Sequence, residues 1–298
     1  MKPKGAKNIT PFASRKAIET SDDAEIRHLA EMPGAPFPML VQLYNHQENY
    51  LKWLHDRHNR IVELEDKLAD AKEIASKKGP KGAKLATFEK YLWYAEQAVL
   101  LDAINAFEVF FKRTFVGLTR CLREYIDPES LKDRLDFKLI WAMDGRVSAA
   151  ELLFEQRLFH NTDQIDEATH ILVGKKRYAD QKLADRVKVL RGIFQIRHTL
   201  SHNGGMVTKS DAGKFKLYGF DITDGEVIDP RKNDLRIAVF REIVKEADDF
   251  TAWLLKATVD FLIKCHANGQ VVPIALRAEL RAGLGNNAKE WARVPWTA

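Results

Sequence analysis

Apolar residues return at helical spacing over most of this chain and change period in one place only. Between about Met39 and Ser76, Leu43, Tyr50, Leu54, Ile61, Leu64 and Leu68 recur at intervals of three, four or seven, with charges on the other faces. That pattern predicts a long amphipathic helix or a helical hairpin. The stretch from about Ala86 to Tyr125 is denser in apolar residues, LWYAEQAVLLDAINAFEVFFKRTFVGLTRCL, and predicts a helix at the centre of its bundle. Asp127-Pro128 ends it. Two shorter helices are expected around LKDRLDFKLIWAMDG and VSAAELLFEQRLFH, and the run HNTDQIDEATHILVG after them reads as a polar segment. Residues 180–202, DQKLADRVKVLRGIFQIRHTLSH, predict another helix, with Asp180 as its N-cap and Asn203-Gly204-Gly205 closing it.

The change of period falls at residues 214–228, KFKLYGFDITDGEVI. Phe215, Leu217 and Tyr218 precede a turn signal at Asp224-Gly225, which predicts a small β-hairpin. Asp234 is expected to cap a further helix to about His266, carrying Leu235, Val239, Ile243, Phe250, Leu254, Val259 and Phe261. VVPIALRAELRAG predicts one short helix, and the last residues look peripheral. Toward the N-terminus, residues 1–20 read as a basic arm, and Asp22 with Glu25 marks a helix start. EMPGAPFP, residues 31–38, reads as a loop. SKKGPKGAK, residues 76–84, reads as a basic linker that is either solvated or in contact with phosphates. The expected fold is mainly α. A basic arm and N-terminal helical extension over 1–85 precede a helical domain over 86–266, with its hairpin near 214–228. A tail over 267–298 holds one short helix.

Composition narrows the function classes only slightly. The 298 residues are 45% hydrophobic and 30% charged, an ordinary globular balance. A net charge of +5 permits an acidic partner such as RNA without requiring one. Cys121 and Cys265 form no CxxC pair, so neither a disulfide framework nor a structural zinc site is expected, and both read as reduced cytosolic thiols. The basic start MKPKGAKNITPF has no apolar region behind it, and no run approaches 18 apolar residues. A cytoplasmic protein with no membrane partner is the expectation. Glycine-rich nucleotide loops, HExxH, EF-hand and GxSxG signatures are absent.

The chemistry-bearing run is Arg197-His198-Thr199-Leu200-Ser201-His202-Asn203-Gly204-Gly205. At about 100° per residue, Arg197 falls inside the apolar sector of Leu190, Ile193 and Phe194, where an unpaired charge is costly. His202 falls at the edge of that face, rotated about 140° from Arg197. Histidine titrates near neutrality and moves protons. Arginine offers a planar fork to phosphate oxygens and stabilises growing charge. The pair suits activation of a ribose 2'-hydroxyl against its own phosphate. It equally suits a buried arginine–carboxylate pair with a histidine at the helix end.

This segment resembles the Rx4-6H motif of the HEPN superfamily, with Arg197 and His202 as its arginine and histidine. His198 matches the polar residue that often follows the arginine. The apolar run before Arg197, the Asn203-Gly204 after His202 and a late helix in a bundle are similar as well. The resemblance covers residues 86–266. It implies an acidic or polar partner on an earlier helix, and Glu108 fits, the only acid between Asp102 and Glu124. It also implies a metal-independent endoribonuclease with no cofactor, acting on RNA in a toxin, antiviral or RNA-processing setting. A homodimer, and an antitoxin or defence-system partner, belong to the same implication. Some family members resemble inactive scaffolds, so a non-catalytic RNA-binding subunit stays open. Asn203 and the basic turn Lys175, Lys176 and Arg177 are candidate substrate contacts, the turn being equally explained by solvation. His46, His55 and His58 read as surface or interface histidines.

Overall fold

The computed structural model describes residues 35–70, 85–127 and 149–297. The helix expected at Asp22, the linker at 76–84 and the helix expected around LKDRLDFKLIWAMDG lie outside the described residues. Within them the chain is a helical bundle: α1 (Pro36–Asp70), α2 (Leu85–Leu122), α3 (Ala149–Gln156), α4 (Thr162–Val173), α5 (Ala184–His202), α6 (Lys209–Leu217), α7 (Leu235–Ala267), α8 (Leu276–Leu284) and α9 (Ala288–Trp291). Helix α1 begins inside the expected loop. Pro36 and Pro38 sit in its first turn, where a missing N–H costs nothing.

Helix α2 lies at the centre because it is apolar nearly all round. It packs against α1, α3, α4, α5, α7 and α8. Phe107, Phe110, Phe111 and Phe115 point from it into a shared core. Phe111 meets Phe250 of α7 edge-on at 4.9 Å, Phe107 stacks with Phe194 of α5 at 6.0 Å, and Phe115 meets Phe159 at 4.9 Å. Each buried ring contributes about 1.5–3 kcal/mol. The same core takes in Phe37 and Leu40 of α1 and, from the chain's end, Val272, Leu280, Trp291 and Val294. The last residues are therefore not peripheral. Trp291 is fully buried and donates its indole N–H to the Gly285 carbonyl.

Two stretches differ from the expectation. HNTDQIDEATHILVG contains α4, whose first turn is capped by the Asn161 side chain accepting from the Asp163 N–H and whose end is Gly174 in the left-handed region. Its apolar face, Ile165, Ala168, Leu172 and Val173, is short but helically spaced and fully packed. The hairpin expected near 214–228 is absent, and no β-strand occurs among the described residues. Thr208 opens α6 there in a capping box with Asp211. The alternation that suggested a strand was misleading, since Phe215 is buried while Leu217 is 71% exposed. Segments 205–207 and 225–228 do meet, through Val207 N–H to Glu226 O and Ile228 N–H to Gly205 O, but only as one isolated bridge between Met206 and Val227. Phe220 turns back onto α5 at Gly192, where a Cβ would lie 2.0 Å from its ring. Any side chain at 192 would displace that ring.

Asp234 was expected to cap α7. It adopts φ 54° instead and makes no side-chain cap bond.

Candidate functional site

The C-terminal turn of α5 carries the motif, and the turn after it fixes how that end is shaped. Asn203 N–H and Gly205 N–H both donate to the Thr199 carbonyl, at 3.0 and 3.1 Å. Gly204 and Gly205 provide the positive φ values, 59° and 85°, that this double closure needs. Gly205 is also a close approach, because a Cβ there would lie 3.0 Å from Gln97 Nε2 of α2.

Beneath that turn sits Asp211, a buried carboxylate of α6. It accepts from Gln195 Nε2 at 2.9 Å, Asn203 Nδ2 at 2.9 Å and Thr208 N–H at 3.2 Å. Burial pushes its pKa up. Hydrogen bonds from the Thr208 N–H and hydroxyl and from Asn203, with the charge of His198, more than offset that and leave it lowered. A folded pKa below the unfolded one means that ionised Asp211 stabilises the fold above about pH 3.9. That stability is lost as pH falls through the folded value. Asp211→Asn should lower neutral-pH stability by about 1.5–3 kcal/mol, the scale of hydrogen bonds to a charged group. The gap to wild type should close in acid below the carboxylate range, as urea melts across pH would show. A gap that stays constant with pH would contradict this role.

Arg197 leaves α5 toward α2. Its Nε donates to Asn105 Oδ1 at 3.1 Å, and its Nη2 lies 3.6 Å from Glu108 Oε2. Glu108 turns its other oxygen toward His160 Nδ1, also at 3.6 Å. The order along this rim is thus Asn105, Arg197, Glu108, His160. The Arg197 side chain stays 27% exposed, so part of its fork faces out. His202 lies five residues, about 7.5 Å of rise, further along α5. It is exposed, and its ring meets that of His198 at 4.7 Å centroid to centroid. The His198 pKa is lowered by partial desolvation first, then by His202, Lys214 and Arg197, against an opposing pull from Asp211. His198 is therefore largely neutral near pH 7.

The structure brings Arg197 to Glu108 and, separately, the His198 ring to the His202 ring at the C-terminal end of α5, with His202 rotated about 140° from Arg197, and it gives Asn203 to Asp211. It puts Lys175, Lys176 and Arg177 at the other end of α4, whose 12 residues span about 18 Å. Lys175 pairs with Asp260 at 2.8 Å, and Lys176 is exposed. Arg177 is buried, with its Nε 3.2 Å from Glu246 Oε1. Glu246 also takes the Tyr178 hydroxyl at 2.8 Å and Arg186 Nε at 2.7 Å, and Asp166 accepts the backbone N–H groups of Arg177 and Tyr178. This turn is the clamp that joins α4, α5 and α7.

Asn105, His160 and Asp211 did not stand out in the sequence. A sequence signal existed for Asp211, three residues after Thr208 in capping-box spacing. His160 directly precedes the N-cap of α4, an element hidden in a polar-looking run. Cys121 and Cys265 are buried free thiols. Burial first, then Glu279, pushes Cys121 up to about 12, which leaves it a poor nucleophile. No group of three or more His, Cys, Asp or Glu among the described residues is disposed to hold a metal ion, and no helix there is long and apolar enough to cross a membrane.

No family model matches the chain, and neither a curated protein nor a solved structure matches it.

Proposed function

We propose that this chain is an endoribonuclease of the HEPN type, cutting RNA by attack of a ribose 2'-hydroxyl on its own phosphate. The observation that carries the reading is the half-open Arg197 fork, held by Asn105 and Glu108 at the same end of α5 that carries the exposed His198–His202 pair. Arg197 binds the scissile phosphate with the donors that Asn105 and Glu108 leave free, and it stabilises the charge that gathers there. His202 takes the 2'-hydroxyl proton. The 2'-oxygen bonds to phosphorus, the bond to the 5'-oxygen breaks, and that oxygen takes up a proton as it leaves. The products are a 2',3'-cyclic phosphate and a 5'-hydroxyl. Neutral His198 accepts beside His202 and orients it, and Glu108 and Asn105 hold Arg197 in place.

In this reading the chain works in the cytoplasm as a homodimer whose two motifs share a cleft, in a toxin or antiviral setting with a controlling partner protein. The non-catalytic alternative has one observation in its favour. Arg197 already has two protein partners, as a structural ion pair would.

Incubation of the full chain with a mixed RNA pool in EDTA separates the two. Cleavage is expected to persist in the chelator, and Arg197→Ala is expected to weaken both turnover and RNA binding. Activity that requires Mg2+, or an Arg197→Ala protein that cuts as wild type does, would remove Arg197 from the proposed chemistry.

A further inference from the structure

Among the described residues, all four exposed aromatic side chains lie on the α1–α2 hairpin: Tyr50, Trp53, Tyr91 and Tyr94, between 45% and 64% exposed. Polar pairs fix how the hairpin is put together. Gln47 bonds Asp102 at 2.6 Å and His55 meets Glu96 at 2.8 Å, so α1 runs antiparallel to α2 with Leu51 and Val99 in one small cluster between them.

Helix geometry then ties these aromatics to the Arg197 site. At about 100° per residue, Glu108, Asn105, Leu101, Ala98, Tyr94 and Tyr91 fall within roughly 100° of one another on α2. The face that meets Arg197 therefore continues toward the hairpin tip as a strip ending in two tyrosines, the nearer about 16 Å from Asn105 along the axis. On α1, His46, Tyr50, Trp53 and Arg57 share a sector of about 60°. Gln47 lies on the Tyr50 side of the line through Leu51, and its partner Asp102 lies on the tyrosine side of α2. The two sectors consequently open on the same side of the hairpin.

The strip also has a charge character. Between Lys90 and Asn105, the α2 sector holds no carboxylate, and neither does the α1 sector. Asp102 at its border is occupied by Gln47. The Arg57 guanidinium lies 5.3 Å above the Trp53 ring, and Lys90 adjoins Tyr91. Exposed rings interleaved with cations, continuous with a candidate phosphate site, suit a chain of bases linked by phosphates.

We propose that this strip is a stacking platform for the unpaired bases of a single-stranded RNA whose scissile phosphate sits at Arg197; the identification of the ligand as RNA rests on the endoribonuclease reading. Tyr94 and Tyr91 take bases on one side of the scissile bond, and Tyr50 and Trp53 widen the platform. Base stacking tolerates any sequence, because every base has a π face. The platform accordingly selects for unpaired strands and not for a particular base.

The test uses the full chain and a short 2'-O-methyl single strand of mixed sequence, which cannot supply a 2'-hydroxyl, so binding is read without cleavage. A second strand carries abasic sites with the same phosphates. Tyr91→Ala with Tyr94→Ala should weaken binding of the base-bearing strand about tenfold or more, the range expected for losing base–aromatic stacks. The salt slope should stay that of wild type, since the phosphate contacts remain. Tyr91→Phe with Tyr94→Phe should bind as wild type does, and the abasic strand should not distinguish the proteins. Equal wild-type affinity for the two strands would overturn the platform, as would unchanged binding by the alanine variant. Sedimentation gives a further overturning result: an alanine variant that turns a dimer into a monomer while binding per chain is unchanged makes this face a protein interface. Base-dependent binding without cleavage of an ordinary RNA would keep the platform and sink the nuclease reading. Cleavage that stands while the variants bind normally would do the reverse, and failure of the chain to bind either strand would sink both.

Discussion

His202→Ala should cut RNA turnover by about 10²–10⁴-fold, the usual contribution of a positioned general base, while RNA binding stays close to wild type. The split follows from where the two residues sit. His202 is exposed at the end of α5, and its ring contact is with His198, so its loss removes a proton acceptor and little packing. Arg197 instead bridges α5 to Asn105 and Glu108 of α2, so its loss removes a phosphate donor as well. His198 cannot simply replace its neighbour. Desolvation and the charges around it hold its pKa below that of an ordinary histidine, which makes it a weak base. Single-turnover cleavage and anisotropy on the same RNA would read the two effects separately. Turnover within a few-fold of wild type would show that His202 is not the base. A parallel loss of binding would show that it serves the fold or the substrate contact instead.

Glu246→Ala should be the most damaging single change to stability, at about 3–5 kcal/mol, the cost of stripping the partner from a buried charge. Glu246 is completely buried and carries Arg177, Arg186 and the Tyr178 hydroxyl on its two oxygens. Without it the buried Arg177 guanidinium loses its carboxylate and is left over the faces of Tyr178 and Trp253, 5.8 and 5.9 Å away. Arg186 is better placed, because Glu242 remains as its second partner. Desolvation by burial, and then the charge of Glu246, raises the Tyr178 pKa well above 10, so the hydroxyl remains a donor that needs this acceptor. Since the network joins α5 to α4 and α7, the motif helix should loosen with it. Urea unfolding would measure the loss, and a change below about 1 kcal/mol, the scale of a surface pair, would contradict the network's importance.

The sequence was most informative where one period ran long. The α5 pattern, from Ala184 to the closing glycines, and the α2 run, dense in apolar residues, were legible because burial on a helix imposes a repeat that substitutions rarely hide. Glu108 was legible as an acid that needs a partner, because it interrupts AFEVFF. Legibility failed where the governing contact is local or distant in sequence. The α6 region alternates over only a few residues, while the Thr208–Asp211 capping box decides its helix. The α4 run looked polar because Asp163, Glu167 and His170 lie on its exposed face and its buried face itself includes the polar Thr162, Asp166 and Thr169. Asn105 and His160 reach the site across 92 and 52 positions from Arg197 and Glu108, and no local pattern encodes such pairings. The basic turn at Lys175–Arg177 read as either a solvated turn or a phosphate contact, and Lys175 and Arg177 in it pair with Asp260 and Glu246, acids on a helix that begins 58 residues after Arg177.

In the proposed mechanism His202 and Arg197 drive attack by the ribose 2'-hydroxyl. The most direct measurement places a single 2'-deoxynucleotide at a mapped cleavage site of an otherwise ordinary RNA and analyses the ends formed in EDTA. The all-ribose strand should be left with 2',3'-cyclic phosphate and 5'-hydroxyl ends. Cleavage should vanish at the one deoxy position while binding is unchanged. Equal cutting at the deoxy position, or 5'-phosphate ends, would contradict that mechanism, since water and not the neighbouring ribose would then be the nucleophile.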